Sequence, residues 1–339
     1  AALRSMRSFR RLRKKTAAQA TTMRRTPLAW ILAGSLLTAA SQPATPSPYL
    51  GQPVPGLTPA RFAPGIVSTD AIELNGVFAP DLKEFFFTRI IDGTPTMFLA
   101  QLAGGAWSAP RPLMVYPGQA RALAVDMSVS PDGRELFFHG NYRAPGAGAD
   151  RTEGDIWRSR RVNGAWGTAE IVPPPISSDA NEVYTSVVRD GSLYFNSSRP
   201  GGPGRSNLYR AQRLADGTFA EPVLVPPPVN SEAGIGDSFV SPDETYVVFS
   251  SRRPPSLGSS DFFVAFRLAD GGWGEPVHLG KTVNTEHTDY CPFVTPDEEY
   301  FFFSRRDGAP PEAKSGDVYW MDAAFLDQFR RPAPDRPAR

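Results

Sequence analysis

A chain of 339 residues with 41% hydrophobic content can bury a large core, and its 30 Gly and 35 Pro suit short strands joined by turns, with no every-third-residue glycine that would make a collagen-type fibre. The formal charge of +1 hides an asymmetry: nine basic residues and no acid lie in positions 1–25, so the 299 residues from Ser41 onward hold 27 basic against 35 acidic groups. So acidic a body lacks the basic face that nucleic acid requires; one cysteine, Cys291, excludes an internal disulfide, and three histidines (His139, His278, His287) argue against a histidine-rich zinc site.

In chain order, positions 1–22 read as an over-extended or disordered N-terminus ahead of Met23, and positions 23–40 as a signal peptide. Leu28–Ala40 is an apolar run of 13 residues behind Arg24-Arg25. A bilayer span needs about 20 apolar residues. A charged start, a short apolar run and small residues at its end describe a secretory signal instead. The mature chain is therefore expected to lack a transmembrane span and to work in the periplasm or outside the cell, by the general or the twin-arginine route. Positions 41–56 read as a Pro/Ser/Thr linker, 57–322 as the folded domain, and 323–339 as a short helix with a disordered Pro/Arg tail.

Within 57–322 one pattern occurs five times. The segments are Phe78–Asp81, Val129–Asp132, Val187–Asp190, Val240–Asp243 and Val294–Asp297, with the aspartates 51, 58, 53 and 54 residues apart. Four of the five contain Pro-Asp, whose proline presets one turn dihedral and whose carboxylate bonds its own backbone; the third has Arg189-Asp190. An aromatic strand follows each turn, as in Phe85-Phe86-Phe87 and Phe301-Phe302-Phe303. A third strand alternates polar and apolar residues, as in Asn207–Arg210, and a fourth opens after a Gly turn at Trp107, Trp166, Phe219 and Trp273. Four strands recurring at this period make an all-β propeller of five four-stranded blades, with six as the alternative.

The repeat resembles the WD40-like repeat of TolB-type β-propellers, whose blades carry Ser-Pro-Asp-Gly, then Leu-Tyr-Phe, then Ser-Arg. Ser130-Pro131-Asp132-Gly133 matches in full, and Ser241–Asp243 and Thr295–Asp297 match closely, over about Val67 to Met321. The resemblance includes six-bladed members. It implies a propeller but no particular activity, because propellers host unrelated functions.

The fifth repeat lacks a fourth strand. Val67–Glu73 mirrors Ile176–Glu182, so by the same offset Leu57–Phe62 is expected to supply it from the N-terminus. Closure would remove two open sheet edges.

Two recurrent charge sets are the candidate site. Glu73, Asp126, Glu182, Asp237 and Asp289 precede the innermost strands, and Arg89, Arg199, Arg252 and Arg305 follow the second strands, with Asn141 standing in blade 2. The acids would lie at one channel mouth and hold a cation, a sugar or an amine-rich peptide. In the plainer reading they bond backbone N–H groups and Arg forks and tie neighbouring blades together. No metal-ligand cluster, no Gly-x-Ser-x-Gly elbow and no phosphate-binding glycine loop is present, so no cofactor is expected. The expected function is binding or scaffolding, with a protein or glycan of the cell envelope as partner. The acidic body favours a cationic or polar one. The alternative is a glycoside hydrolase of five-bladed type that uses two channel carboxylates about 5–9.5 Å apart.

Overall fold

The turns that punctuate the sequence organise the molecule. In the computed structural model, which describes residues 48–116, 123–141, 154–307 and 315–330, each turn aspartate accepts a bond from the backbone N–H two residues on, at Lys83, Arg134, Ser192, Thr245 and Glu299. The residue between is left-handed in every turn. Gly133 and Gly191 take that conformation freely, whereas Leu82, Glu244 and Glu298 hold φ near +60° with a side chain attached.

Each turn joins the innermost strand of a blade to the second. Blade 1 has Glu73–Phe78, Glu84–Ile91 and Thr94–Ala103; blade 2 has Ala124–Val129, Glu135–Gly140 and Asp155–Val162. Blade 3 has Glu182–Val187, Leu193–Ser197 and Asn207–Ala211; blade 4 has Ser238–Val240, Tyr246–Ser251 and Asp261–Phe266. Blade 5 has Thr288–Val294, Tyr300–Arg306 and Gly316–Asp322. All pairings within the sheets are antiparallel, and the five sheets form a five-bladed β-propeller.

The fourth strands are shorter than expected. In blades 1 and 2 the strand is split into Ala106–Trp107 with Arg111–Pro112, and Ala165–Trp166 with Glu170–Ile171. In blades 3 and 4 Phe219 and Trp273 form single bridges, and the pairs Val223–Leu224 and Val277–His278 follow. Pro110, Pro222 and Pro276 interrupt the ladder, which an outermost strand tolerates.

The N-terminal segment closes the ring. Ala60 and Arg61 pair with Trp320 and Tyr319, Phe62 N–H donates to Val318 at 2.8 Å, and Asp322 N–H donates to Gly56 at 3.0 Å. Phe62 is fully buried against Phe78, Phe85, Phe302 and Trp320, and so joins blades 5 and 1. The packed body extends further than 57. Tyr49 and Leu50, within the stretch read as linker, are buried, and the Tyr49 hydroxyl donates to Asp297. Past Met321, Ala323–Phe329 is a 3-10 helix capped by Asp322 Oδ1 and buries Phe325 and Leu326. Positions 1–47, which hold the proposed leader and the first part of the linker, positions 331–339 of the tail, and positions 142–153 lie outside the described residues. Among the described residues no helix is long and apolar enough to cross a membrane.

Candidate functional site

The five acids read as equivalent occupy two different positions. Counting back from the last residue of each innermost strand, Glu73, Glu182 and Asp289 stand five residues before it, and Asp126 and Asp237 stand three before it. The first position is a tie. Glu73 accepts from Thr69 N–H and hydroxyl and from Arg89 Nε at 2.7 Å. Glu182 accepts from Ser178 N–H and hydroxyl, Ser197 Oγ and Arg199. Asp289 accepts from Thr285 N–H and hydroxyl and from Arg305 Nε at 2.7 Å. All three acids are fully buried. For Asp289, burial outweighs Arg305 and Thr285 and holds its carboxyl above the ordinary range.

The arginines carry the tie outward. Arg89 donates to the carbonyl of Val67, Arg199 to Ile176 and Arg305 to Val283, each on the segment that leads into its blade. In blade 4 the residue in this role is Arg253, not Arg252: Arg253 donates to Val229 O at 2.6 Å and lies over Phe249 and Phe263. Two adjacent arginines follow Ser251, and only the backbone trace shows which one turns inward. These ties stay within one blade and its entry segment. Ion pairs between blades do occur, on residues the sequence reading passed over: Glu84 with Arg161, Glu135 with Arg213 and Glu244 with Arg210.

The second position forms the axis. Asn75, Asp126, Tyr184, Asp237 and Cys291 stand at one level of the five innermost strands, and four of them adopt φ between +45° and +57°. Pairing register shifts at this point in blades 1, 2, 3 and 5, which marks a β-bulge aimed at the centre. The level is linked around the ring. Met127 N–H donates to Asn75 Oδ1, Cys291 N–H to Asp237 Oδ2 at 2.9 Å, and Asn75 N–H to Ser304 Oγ at 2.9 Å; Tyr184 Oη reaches Pro292 O at 2.7 Å. Burial raises Asp126 well above the carboxylate range, and the neighbouring Asp237 adds to it. Burial also raises Asp237, against bonds from Cys291 and the charge of Arg306. His139 Nδ1 is 4.0 Å from Asp126, but burial lowers its pKa to about 4, so it offers no cation at neutral pH. Burial pushes the Cys291 thiol well up, which makes it an inert core thiol.

Two cavities flank this level. The one toward the Pro-Asp turns holds about 330 Å³ and is lined by apolar side chains of all five blades, among them Met127, Phe239 and Phe293. The one toward the opposite face holds about 920 Å³ and lies over blades 3, 4 and 5. Of the five candidate acids only Asp237 lines it, and of the four candidate arginines only Arg252.

Comparison with known proteins adds likeness of fold. No protein-family model matches the sequence, and no curated protein matches it. Solved TolB propellers are among the similar structures. One assigned as TolB from Agrobacterium tumefaciens shares 14% identity at a TM-score of 0.47, over 75% of this chain and 78% of that one. TolB from Acinetobacter baumannii shares 14% at 0.44, over 75% of this chain, which spans 55% of that protein. An α-L-arabinofuranosidase from Podospora anserina, solved with cellotriose, shares 9% at 0.47, over 78% and 96%.

The larger cavity is lined by polar side chains together with Ala180, Val183, Ala233 and Ile235. Ser198, Ser206, Ser250 and Ser260 line it, with Asp179 and Asn181 at the entry segment of blade 3. Arg205 and Arg252 are exposed on its rim, and Arg306 is half-buried with its guanidinium 4.7 Å from the centre of the Tyr290 ring. Among the described residues none of these three arginines pairs with a carboxylate. The loops Pro200–Ser206 and Pro254–Ser260 supply Arg205, Ser206, Ser259 and Ser260, while Asp307–Gly316 is described only at its ends. Among the described residues no group of three His, Cys, Asp or Glu is placed to hold a metal ion.

Proposed function

We propose that this chain is an exported, non-catalytic binding propeller of the cell envelope or the extracellular space, and that it takes its partner at the polar cavity over blades 3 to 5. The observation that carries this reading is the cavity of about 920 Å³, rimmed by Arg205 and Arg252, which form no ion pair with a carboxylate among the described residues. Three of the five recurrent acids are consumed as ties, which supports a structural role for them. The propeller presents the surrounding loops at fixed spacing, and this lowers the ordering cost of binding.

The test is capture from an envelope fraction by the immobilised protein, with the captured species identified, beside an Arg205→Ala/Arg252→Ala variant. Capture that depends on the two arginines, with no turnover of a panel of aryl glycosides, is the expected result. Glycoside hydrolysis abolished by Asp237→Asn would move the protein to the hydrolase reading. Export is checked separately by mass spectrometry of the mature protein, whose N-terminus is expected near Ser41; a mature chain that keeps Trp30 refutes it.

A further inference from the structure

The cavity toward the Pro-Asp turns is lined by all five blades, and its interior is apolar. Phe293 stands half-buried in its wall, edge to face with Phe239 at 5.7 Å between ring centres, and packs against three of the surrounding core clusters. Val77, Met127, Val187 and Val294 extend the apolar lining. Each hydroxyl on the wall already has a partner in the fold. Ser128 and Thr185 bond each other at 2.5 Å, Ser186 Oγ donates to Ser238 O and accepts from Val240 N–H, and Tyr184 Oη donates to Pro292 O. A polar group carried inside would lose its bonds to water with little in return, so the interior suits an apolar one. The volume, about 330 Å³, is about twice the roughly 150 Å³ of an apolar cavity that holds benzene. It lies within the range of small-molecule sites.

The mouth carries two charges that the fold does not use. Four of the five turns place a proline there (Pro80, Pro131, Pro242 and Pro296), and the third places Arg189. Arg189 is exposed; its backbone N–H donates to Pro242 O at 2.8 Å, while its guanidinium has no carboxylate partner among the described residues. The nearby acids Asp190 and Glu244 are held by Arg210 instead. Glu298, exposed on the blade 5 turn, also lines the mouth and has no cationic partner among the described residues. One free positive and one free negative group above an apolar hollow complement a molecule that carries both charges beside an apolar body. The prolines have no N–H to give, so a peptide strand laid across the mouth would find few donors for its carbonyls.

We propose that this cavity binds a free apolar α-amino acid, with the side chain in the hollow, the carboxylate on Arg189 and the ammonium on Glu298. A guanidinium fork takes a carboxylate by two parallel bonds. Both charged ends stay at the mouth, where water limits the cost of desolvating them. The site shares no lining residue with the cavity over blades 3 to 5, so it is a second and independent one.

Calorimetric titration of the full chain with phenylalanine, hydrocinnamate, phenethylamine, N-acetylphenylalaninamide and alanine tests the proposal. Phenylalanine should bind. Hydrocinnamate lacks the ammonium and phenethylamine lacks the carboxylate, and each should bind about fivefold more weakly, the order of an ion pair left open to water. The doubly blocked amide should be weaker than either, and alanine, without the apolar group, should not bind. Arg189→Gln should weaken phenylalanine about fivefold and leave phenethylamine unchanged. Glu298→Gln should do the same to phenylalanine and leave hydrocinnamate unchanged. Neither should shift the melting temperature, because both side chains are exposed. The inference is overturned by no binding of phenylalanine, by equal binding of the blocked amide or of alanine, or by binding that neither substitution changes. Arg205→Ala/Arg252→Ala should leave phenylalanine binding as it is, and a loss there would place the ligand on the other face and overturn the assignment. Failure of phenylalanine to bind leaves envelope capture untouched, so the two readings fail separately.

Discussion

At the scale of single residues, the same chemistry serves two ends according to position. Glu182 accepts four bonds in full burial, from Ser178 twice, Ser197 and Arg199. Removing one partner of a buried pair strands the other, at a cost of about 3–5 kcal/mol. Glu182→Ala is expected to lose stability of that order in urea denaturation, and an unchanged midpoint would show that the tie carries nothing. Adjacent arginines should separate as cleanly. Arg253→Ala removes bonds to the carbonyls of Pro228 and Val229 and should cost about 1–3 kcal/mol, whereas Arg252→Ala should stay within about 0.5 kcal/mol. Asp126 behaves in the opposite sense to Glu182. Its folded carboxyl is raised, so as pH climbs past the ordinary carboxyl value near ~3.9 the unfolded chain sheds a proton that the folded chain retains, and stability falls. Among the described residues His139, 4.0 Å away, does not offset this, because burial keeps it uncharged at neutral pH. Asp126→Asn should therefore raise the melting temperature at about neutral pH and converge on the unsubstituted protein as pH falls toward about 4. A gain that persists undiminished in acid would refute the cause.

At the scale of elements, the closing strand is short in hydrogen bonds and rich in packing. Only Ala60 and Arg61 are laddered, yet Phe62 beside them fills the seam between blades 5 and 1. Phe62→Ala is expected to cost about 3–5 kcal/mol, the usual range for emptying a phenylalanine site. Leu57→Ala, five positions earlier and exposed, should cost under about 0.5 kcal/mol. Comparable losses at both would mean that the whole Leu57–Phe62 stretch acts as a strand rather than its last residues. The bulges on the innermost strands are the other element-level feature. In blades 1, 2, 3 and 5 they turn one residue toward the axis, and that residue differs in chemistry from blade to blade.

At the scale of the molecule, a ring of five sheets is held by apolar seams, and two of the seams carry several aromatic contacts. Phe262 meets Phe301 and Phe303 between blades 4 and 5, as Phe62 meets Phe85 and Phe302 between blades 5 and 1. Opening one seam exposes a sheet edge and an apolar face together. A chain starting at Ile72 should consequently aggregate or elute larger than the intact protein in size-exclusion chromatography. Monomeric elution at an unchanged melting temperature would show that closure by the N-terminus is dispensable.

The repeat itself was legible because Pro-Asp turns, aromatic runs and Gly hairpins are local signals, each set by a few neighbouring residues, and they recur five times. The N-terminal closure was legible too, since Val67–Glu73 echoes Ile176–Glu182. The split of the acids was written there as well: Glu73, Glu182 and Asp289 precede their turn aspartates by eight residues, and Asp126 and Asp237 precede theirs by six. What that offset means depends on the bulge, because a one-residue slip in a strand reverses the face a side chain points to. The choice between Arg252 and Arg253 comes from the backbone trace of blade 4 and its entry segment, and the meeting of Arg205, Arg252, Arg306 and Tyr290 around one cavity comes from three blades brought side by side. The chain determines each blade by itself; only ring closure decides which polar groups find partners and which are left facing an empty space.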